Sequence, residues 1–335
     1  MWSIILKRIL VTIPTLLSLT ILLFMMVKSI PGDPAQLILG DKATPEALAQ
    51  ARHDLGLDKP APVQYAIFLQ NLVTGNLGRS IVSNRPVADI IVEKFPATLE
   101  LSIFAMIFAA GIGIPIGFLA SMKPGSTLDL VSMSSAVTGV SLPVFWLGLM
   151  LVWFFSLSLG WTPVSGRLST DFIAFEPITN ILVIDSFLVK DWEMFKSALL
   201  HLTLPAITLG TIPMAFLARM TRSSMLEVIA KDYIRTAQAK GLRLSTVFVK
   251  HAFKNAFIPI LTVMGLQFGT LLGGAMITEN IFAWPGIGTW ILDSVNSRDI
   301  PSIEGGVLVV AIAFIGVNLI VDLLYRVFDP RLRMS

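Results

Sequence analysis

The chain has 335 residues, 54% apolar and only 14% charged, with a mean hydropathy of +0.77. That is too oily for a soluble domain of this length and marks an integral membrane protein. Cysteine is absent, which excludes a disulfide framework, a thiolate metal site and a cysteine nucleophile. The net charge of +3 is distributed as membrane topology requires and does not point to nucleic-acid binding.

A membrane-crossing helix needs roughly 20 mostly apolar residues, and six segments meet that: 9–27, 101–122, 130–159, 202–218, 256–278 and 305–321. None of them contains Asp, Glu, Lys or Arg. The expected fold class is therefore an all-α integral membrane protein with six transmembrane helices. Lys7 and Arg8 precede a run too long for a cleaved signal and without a small-residue cleavage site, so it reads as a retained first span. The termini and the loops near Lys123 and over 219–254 carry 14 Lys and Arg against five acids, and the remaining loops carry 11 against 17. Positive loops stay inside, so both termini are expected in the cytoplasm.

After the first span, the exported region 31–96 reads as folded. Thr44, Pro45 and Glu46 supply an N-cap, a first-turn proline and an early acid for a helix over 47–55, which Gly56 stops. Tyr65, Phe68, Leu69 and Leu72 follow helical spacing and form a stripe that lies on the membrane surface or on neighbouring spans. A third short helix is expected after Pro86, with Val87, Ile90 and Ile91. These assignments divide the chain into 1–96, the first helix plus an exported region, and 97–335, a five-helix core.

The second exported region, 160–197, reads as a mildly acidic loop with Trp161 and Trp192 as interfacial anchors. In the third, 280–301, Trp284 and Pro285 are expected at the lipid boundary. Pro14, Pro115, Pro143, Pro205 and Pro213 fall inside spans, where each favours a kink. Gly111, Gly113, Gly117, Gly265, Gly269, Gly273 and Gly274 permit close helix approach.

Chemistry of its own is not apparent. His53, His201 and His251 fall too far apart along the topology to share a metal, and there is neither an HExxH motif nor a GxxxxGK[ST] phosphate loop. The acids Glu100, Asp129, Glu279 and Asp322 all sit at span ends, so the chain lacks the mid-membrane charges of ion-coupled carriers. No catalytic residue, metal ligand or cofactor site is assigned, and uphill transport by this chain would need a separate engine.

Between the fourth and fifth spans, the loop 220–255 is the long polar segment on the basic side. Asp232 can cap a helix over 233–240 that Gly241 stops. Ala237 and Ala239 keep it thin, Tyr233 is its bulky anchor, and Arg235, Lys240 and Arg243 surround it with positive charge. Such a helix suits a cleft in another protein, and on physical grounds alone it equally suits anionic lipid.

Asp232-Tyr-Ile-Arg-Thr-Ala-Gln-Ala-Lys-Gly-Leu242, followed by His251-Ala-Phe-Lys-Asn-Ala-Phe-Ile-Pro259, resembles the cytoplasmic EAA loop of binding-protein-dependent ABC importer permeases, in their peptide/nickel group. Supporting segments are Ile30-Pro-Gly-Asp-Pro34, Leu55-Gly-Leu-Asp-Lys-Pro60, Ala97-Thr-Leu-Glu-Leu101, Thr162-Pro-Val-Ser-Gly-Arg167, Leu204-Pro-Ala-Ile-Thr-Leu-Gly-Thr-Ile-Pro213 and Met220-Thr-Arg-Ser-Ser-Met-Leu-Glu227. The chain departs from the general Glu-Ala-Ala-x3-Gly pattern: Arg235 stands at the Glu position, with Thr236 and Ala237 at the two Ala positions.

The resemblance implies a type I ABC importer permease in the bacterial inner membrane, with a periplasmic region after the first helix. It implies import of dipeptides or short peptides from the periplasm. Nickel complexes, glutathione or haem remain alternatives, as does, from another class, a passive channel or secondary carrier. Implied partners are a second homologous permease, two cytoplasmic ATPases that bind ATP and Mg, a periplasmic binding protein and membrane lipids. Asp232, Tyr233, Arg235, Thr236, Ala237, Ala239, Lys240 and Gly241 would couple to the ATPases. Gln267, Thr270 and Asn318, polar residues within spans, are candidates for the substrate pathway.

Overall fold

The structure, a computed structural model, describes residues 2–29, 36, 43–54, 56, 58–172 and 174–328. The motif 30–34, residues Leu55 and Leu57 and the basic tail 329–335 lie outside the described residues. Regular structure among the described residues is helical apart from an isolated antiparallel bridge between Arg79 and Pro86. The chain forms two compact units, Met1–Phe95 with Trp290–Ile312, and Pro96–Thr289 with Ala313–Ser335.

In the first unit, α1 (Trp2–Lys28) is 27 residues long, about 40 Å at the α-helical rise. The predicted cap is present on α2 (Pro45–Asp54): the Ala47 amide donates to Thr44 Oγ1 at 3.3 Å, and Gly56 takes a left-handed φ of +66° just beyond the helix. The stripe on α3 (Ala61–Val73) rests on the first apolar helix. Tyr65 and Thr20 share a hydroxyl hydrogen bond of 2.9 Å, and the Phe24 ring lies 5.5 Å from Tyr65 and 6.2 Å from Phe68. Also in this unit, buried Asp299 accepts from Ser80 Oγ (2.5 Å), the Ile81 amide (3.0 Å) and Ser302 Oγ (2.8 Å).

Residues 87–91 do not form a separate short helix. They are the first turns of α4 (Val87–Met122), which runs unbroken through Pro96 and Pro115. The span predicted at 130–159 is likewise not one helix: α5 (Thr127–Ser141) and α6 (Val144–Ser158) meet at 102°. Leu142 between them is extended, with φ −77° and ψ 132°, the conformation a following proline imposes. Pro143 then opens α6 without an amide to donate.

The region 160–197 is more helical than a loop, containing α7 (Leu182–Leu188) and the start of α8 (Trp192–Ile229). Asp191 caps α8 by accepting from the amides of Glu193 (3.1 Å) and Met194 (2.9 Å). α8 continues through Pro205 and Pro213 for 38 residues. Four helices follow: α9 (Asp232–Ala239), α10 (Leu244–Gly274), α11 (Met276–Ile281) and α12 (Ile287–Asn296). The last is α13 (Ile300–Phe328). Among the described residues, α4, α8, α10 and Ile300–Leu324 of α13 are long and apolar enough to cross a membrane, and α5 with α6 adds a fifth crossing if the bent pair counts as one.

The core of the second unit interleaves Leu101, Ala105 and Ala109 of α4 with Leu202, Ala206 and Leu209 of α8 and Ile260 and Leu271 of α10. Glycine sets the closeness of this packing. A side chain at Gly113 or Gly117 would run into the backbone of Met214 or Ala218, and one at Gly210 into that of Ala105. Gly265 and Gly269 give the same clearance to Val321 and Phe314, whereas Gly111 and Gly274 have nothing nearby.

This contrast is testable by thermal unfolding in detergent. Gly117→Ala pushes a methyl into the Ala218 carbonyl and is expected to cost about 1–3 kcal/mol, lowering the melting temperature. Gly111→Ala, in open space on the same helix, is expected to be neutral or to gain about 0.5–1 kcal/mol. Equal behaviour of the two variants would contradict the packing described.

Candidate functional site

α8 ends at Ile229, and two residues later the chain turns into α9. The turn is made by Lys231, whose φ of −74° and ψ of 148° place it just outside the helix, with no side-chain cap bond. Asp232 is thus the first helical residue and not the cap. Its carboxylate still favours the helix start through the dipole, and Arg235 Nη1 lies 3.6 Å from it in an exposed pair.

At the other end Gly241 takes φ +76°. The Gly241 amide donates to Gln238 O (2.9 Å) and the Leu242 amide to Ala237 O (3.4 Å), so the last carbonyls are used and the helix stops as glycine predicts. Arg243 is extended again, with ψ 138°, before α10 begins.

Two of the eight residues of α9 face inward. Ile234 is 1% exposed and Ala237 8%, one helical turn apart. They pack with Met225 of α8 and with Val247, Ala252 and Ala256 of α10, flanked by Phe118 of α4, Val228, Phe248 and Phe253. Phe118 meets Phe248 and Phe253 edge to face, with centroids 6.4 and 5.8 Å away. The wall of this socket formed by Val247–Phe253 is a π-helical stretch, a wider turn often found at functional positions.

Ala237 therefore faces its own chain, while the remaining predicted contact residues, Asp232, Tyr233, Arg235, Thr236, Ala239, Lys240 and Gly241, are exposed. Tyr233 is 44% exposed, and partial burial raises its phenol above the ordinary tyrosine range. Lys231 and Arg243 extend the positive rim. One turn before Met225, Arg222 of α8 grips Asp129 of α5 through Nε–Oδ1 (2.5 Å) and Nη2–Oδ2 (2.7 Å), and Asp129 also accepts from the Gly125 amide (2.9 Å). The result is a short helix, neutral in itself and flanked by Lys231, Lys240 and Arg243, with its apolar side fastened down and its polar side presented.

The polar residues predicted for a pathway bond within their own helices. Thr270 Oγ1 donates to Gln267 O (2.7 Å), and Asn318 Nδ2 donates to Phe314 O (3.0 Å). The structure brings Gln267 and Thr270 together on α10 and leaves Asn318 on α13.

A second constellation was not legible as one site. Buried Glu100 pairs with Arg167 Nη2 (2.5 Å) and accepts from the Val183 amide (2.9 Å). The Arg167 guanidinium lies 5.2 Å from the Trp284 ring centroid, and Trp284 Nε1 donates to Ala97 O (2.9 Å). Thr98 Oγ1 donates to Glu279, whose other oxygen accepts from the Thr289 amide (2.8 Å) at the start of α12. Trp284 is only 1% exposed, so it is a core residue and not a lipid-boundary anchor. Trp161 and Trp192 are exposed. The usable signal was that Glu100 and Arg167 fall in two of the quoted motifs.

Residues 113–334 match the family described as binding-protein-dependent transport system inner membrane component, and residues 1–102 match its N-terminal counterpart. A di/tripeptide transport system permease protein of Pseudomonas aeruginosa is 49% identical over 334 residues, covering 99% of both chains. A dipeptide transport system permease protein of Alkalihalophilus pseudofirmus is 50% identical over 98% of both. A glutathione transport system permease protein of Salmonella choleraesuis is 41% identical over 99% of both. Among solved structures, an inward-facing conformation of the MetNI methionine ABC transporter superposes with a TM-score of 0.54 at 17% identity, covering 72% of this chain and 96% of that one; at that identity the likeness is one of fold.

The two faces of α9 predict opposite responses to the same substitution. Ala237→Asp buries a carboxylate without a partner and is expected to loosen α9 by about 2 kcal/mol or more, read as faster hydrogen exchange over 232–241. Ala239→Asp leaves exchange there unchanged. Exchange equal in the two variants would contradict the inward placement of Ala237.

Proposed function

Since this chain belongs to the family of binding-protein-dependent transport system inner membrane components, we propose that it is the permease subunit of an ATP-driven importer of dipeptides and short peptides, with α9 as the helix its ATPase partners grip. The observation that carries this reading is α9 itself, pinned by its apolar side and presenting a polar side between two membrane-crossing helices. The relatives named for di/tripeptides, dipeptides and glutathione all handle peptides, which supports a zwitterionic peptide as cargo.

The positive-inside distribution supports placing α9 and both termini in the cytoplasm. There the ATPases bind ATP and Mg and carry out the hydrolysis, and this chain is not an enzyme. The periplasmic binding protein delivers peptide to the opposite face. A second, homologous permease completes the pathway, and the exposed apolar residues Leu130, Trp153 and Leu157 of α5 and α6 suit contact with that subunit or with lipid. Asp232, Tyr233, Arg235, Thr236, Ala239, Lys240 and Gly241 form the docking face, with Ala237 behind it. Gln267, Thr270 and Asn318 remain the pathway candidates, where hydrogen-bonding groups suit a peptide better than net charge.

Reconstitution tests the proposal. The permease pair with ATPases and binding protein in liposomes is expected to import labelled dipeptide only with ATP. Flux of peptide through the purified chain alone, independent of ATP, would overturn it. Within the complex, Ala239→Trp adds bulk to an exposed position and is expected to weaken ATPase capture roughly tenfold, about 1.4 kcal/mol, with the fold intact.

A further inference from the structure

Docking alone does not move a membrane helix; the docked element must also be unable to swivel. α9 is joined to its neighbours by two short connections, and both contain non-helical backbone: Lys231 at ψ 148° before it, Gly241 at φ +76° and Arg243 at ψ 138° after it. Joints of this kind absorb rotation about φ and ψ, so the covalent chain by itself would let α9 pivot under load.

Side-chain packing removes that freedom. The inward face of α9 comprises Ile234 and Ala237. Ala237 offers one methyl group, so Ile234 supplies most of the interlocking. Its socket is built from two long helices, Met225 from α8 and Val247, Ala252 and Ala256 from α10. A side chain in a close-packed socket resists displacement in every direction, whereas an exposed pair such as Asp232–Arg235 does not.

We propose that Ile234 is the positioning residue that converts movement of α9 into joint movement of α8 and α10. The proposal rests on the coupling reading given above. Ile234 touches neither ATPase nor peptide; it determines whether force applied to the exposed face reaches the helices behind it. Shortening it keeps the docking face and loses the transmission.

The test uses the complete complex in proteoliposomes and measures two quantities, ATPase captured by the purified permease pair and peptide imported per ATP hydrolysed. Ile234→Ala is expected to capture ATPase as the unmodified complex does but to import roughly tenfold less peptide per ATP, the cavity at its socket leaving α9 free to pivot. Ile234→Val, which keeps most of the interlocking volume, is expected to restore the ratio to within about twofold.

An unchanged ratio in Ile234→Ala would overturn the proposal. So would loss of ATPase capture in Ile234→Ala that Ile234→Val fails to restore, since Ile234 would then merely hold the docking face together. If the unmodified complex captures no ATPase at all, the failure is that of the coupling reading.

Discussion

Ile234 sits with 1% of its surface exposed against residues of α8 and α10, and the character of α9 follows from that contact. A helix of eight residues is too short to be stable in water by itself, so its existence depends on the apolar face it buries. Because the spacing of Ile234 and Ala237 turns only one side inward, the other side is left polar and available. A loop of the same length with polar residues at both positions would have no apolar side to fasten it down.

The opposite arrangement holds the Glu100–Arg167 constellation together. There the elements are joined by buried polar groups: an ion pair, an indole donor to a backbone carbonyl, and a carboxylate that collects donors from Thr98 and the start of α12. A buried ion pair adds little net stability compared with apolar packing, but losing one partner strands the other charge at a cost of about 3–5 kcal/mol. Such a network fixes how α4, α11 and the loops around Arg167 and Trp284 are joined. The socket beneath α9, made almost wholly of aliphatic and aromatic groups, holds by shape instead.

Much of this was readable from residue order. Apolar runs located α4, α8, α10 and α13, though α1 falls short of the predicted first crossing; Thr44 and Gly56 bracketed α2, Gly241 ended α9, and the Tyr65 stripe, for which the membrane surface and a neighbouring span were both open, packs on α1. What escaped did so for physical reasons. Apolar windows mark only the part of a helix in hydrocarbon, so they missed the polar turns by which α4 begins at Val87 and α8 at Trp192. Proline did not announce the 102° bend: Leu142-Pro143 breaks a span while Leu204-Pro205 lies in an unbroken helix, because tertiary packing decides between the two. Ala237 and Ala239 looked equivalent, yet two positions on a helix differ by about 200° in direction, so one faces the socket and the other faces out. Trp284 looked like a lipid-boundary residue because indoles gather there, and only the fold supplies the Ala97 carbonyl and Arg167 guanidinium that make burial favourable.

The central claim is that the exposed side of α9 lies on the cytoplasmic face and is covered by an ATPase. The absence of cysteine from the chain makes one measurement direct: a single cysteine at Ala239, probed with a membrane-impermeant maleimide in sealed vesicles of both orientations. The account predicts labelling in inside-out vesicles, none in right-side-out vesicles, and protection when the ATPase subunits are bound. Labelling from the exterior, or labelling that bound ATPase leaves undiminished, would contradict it.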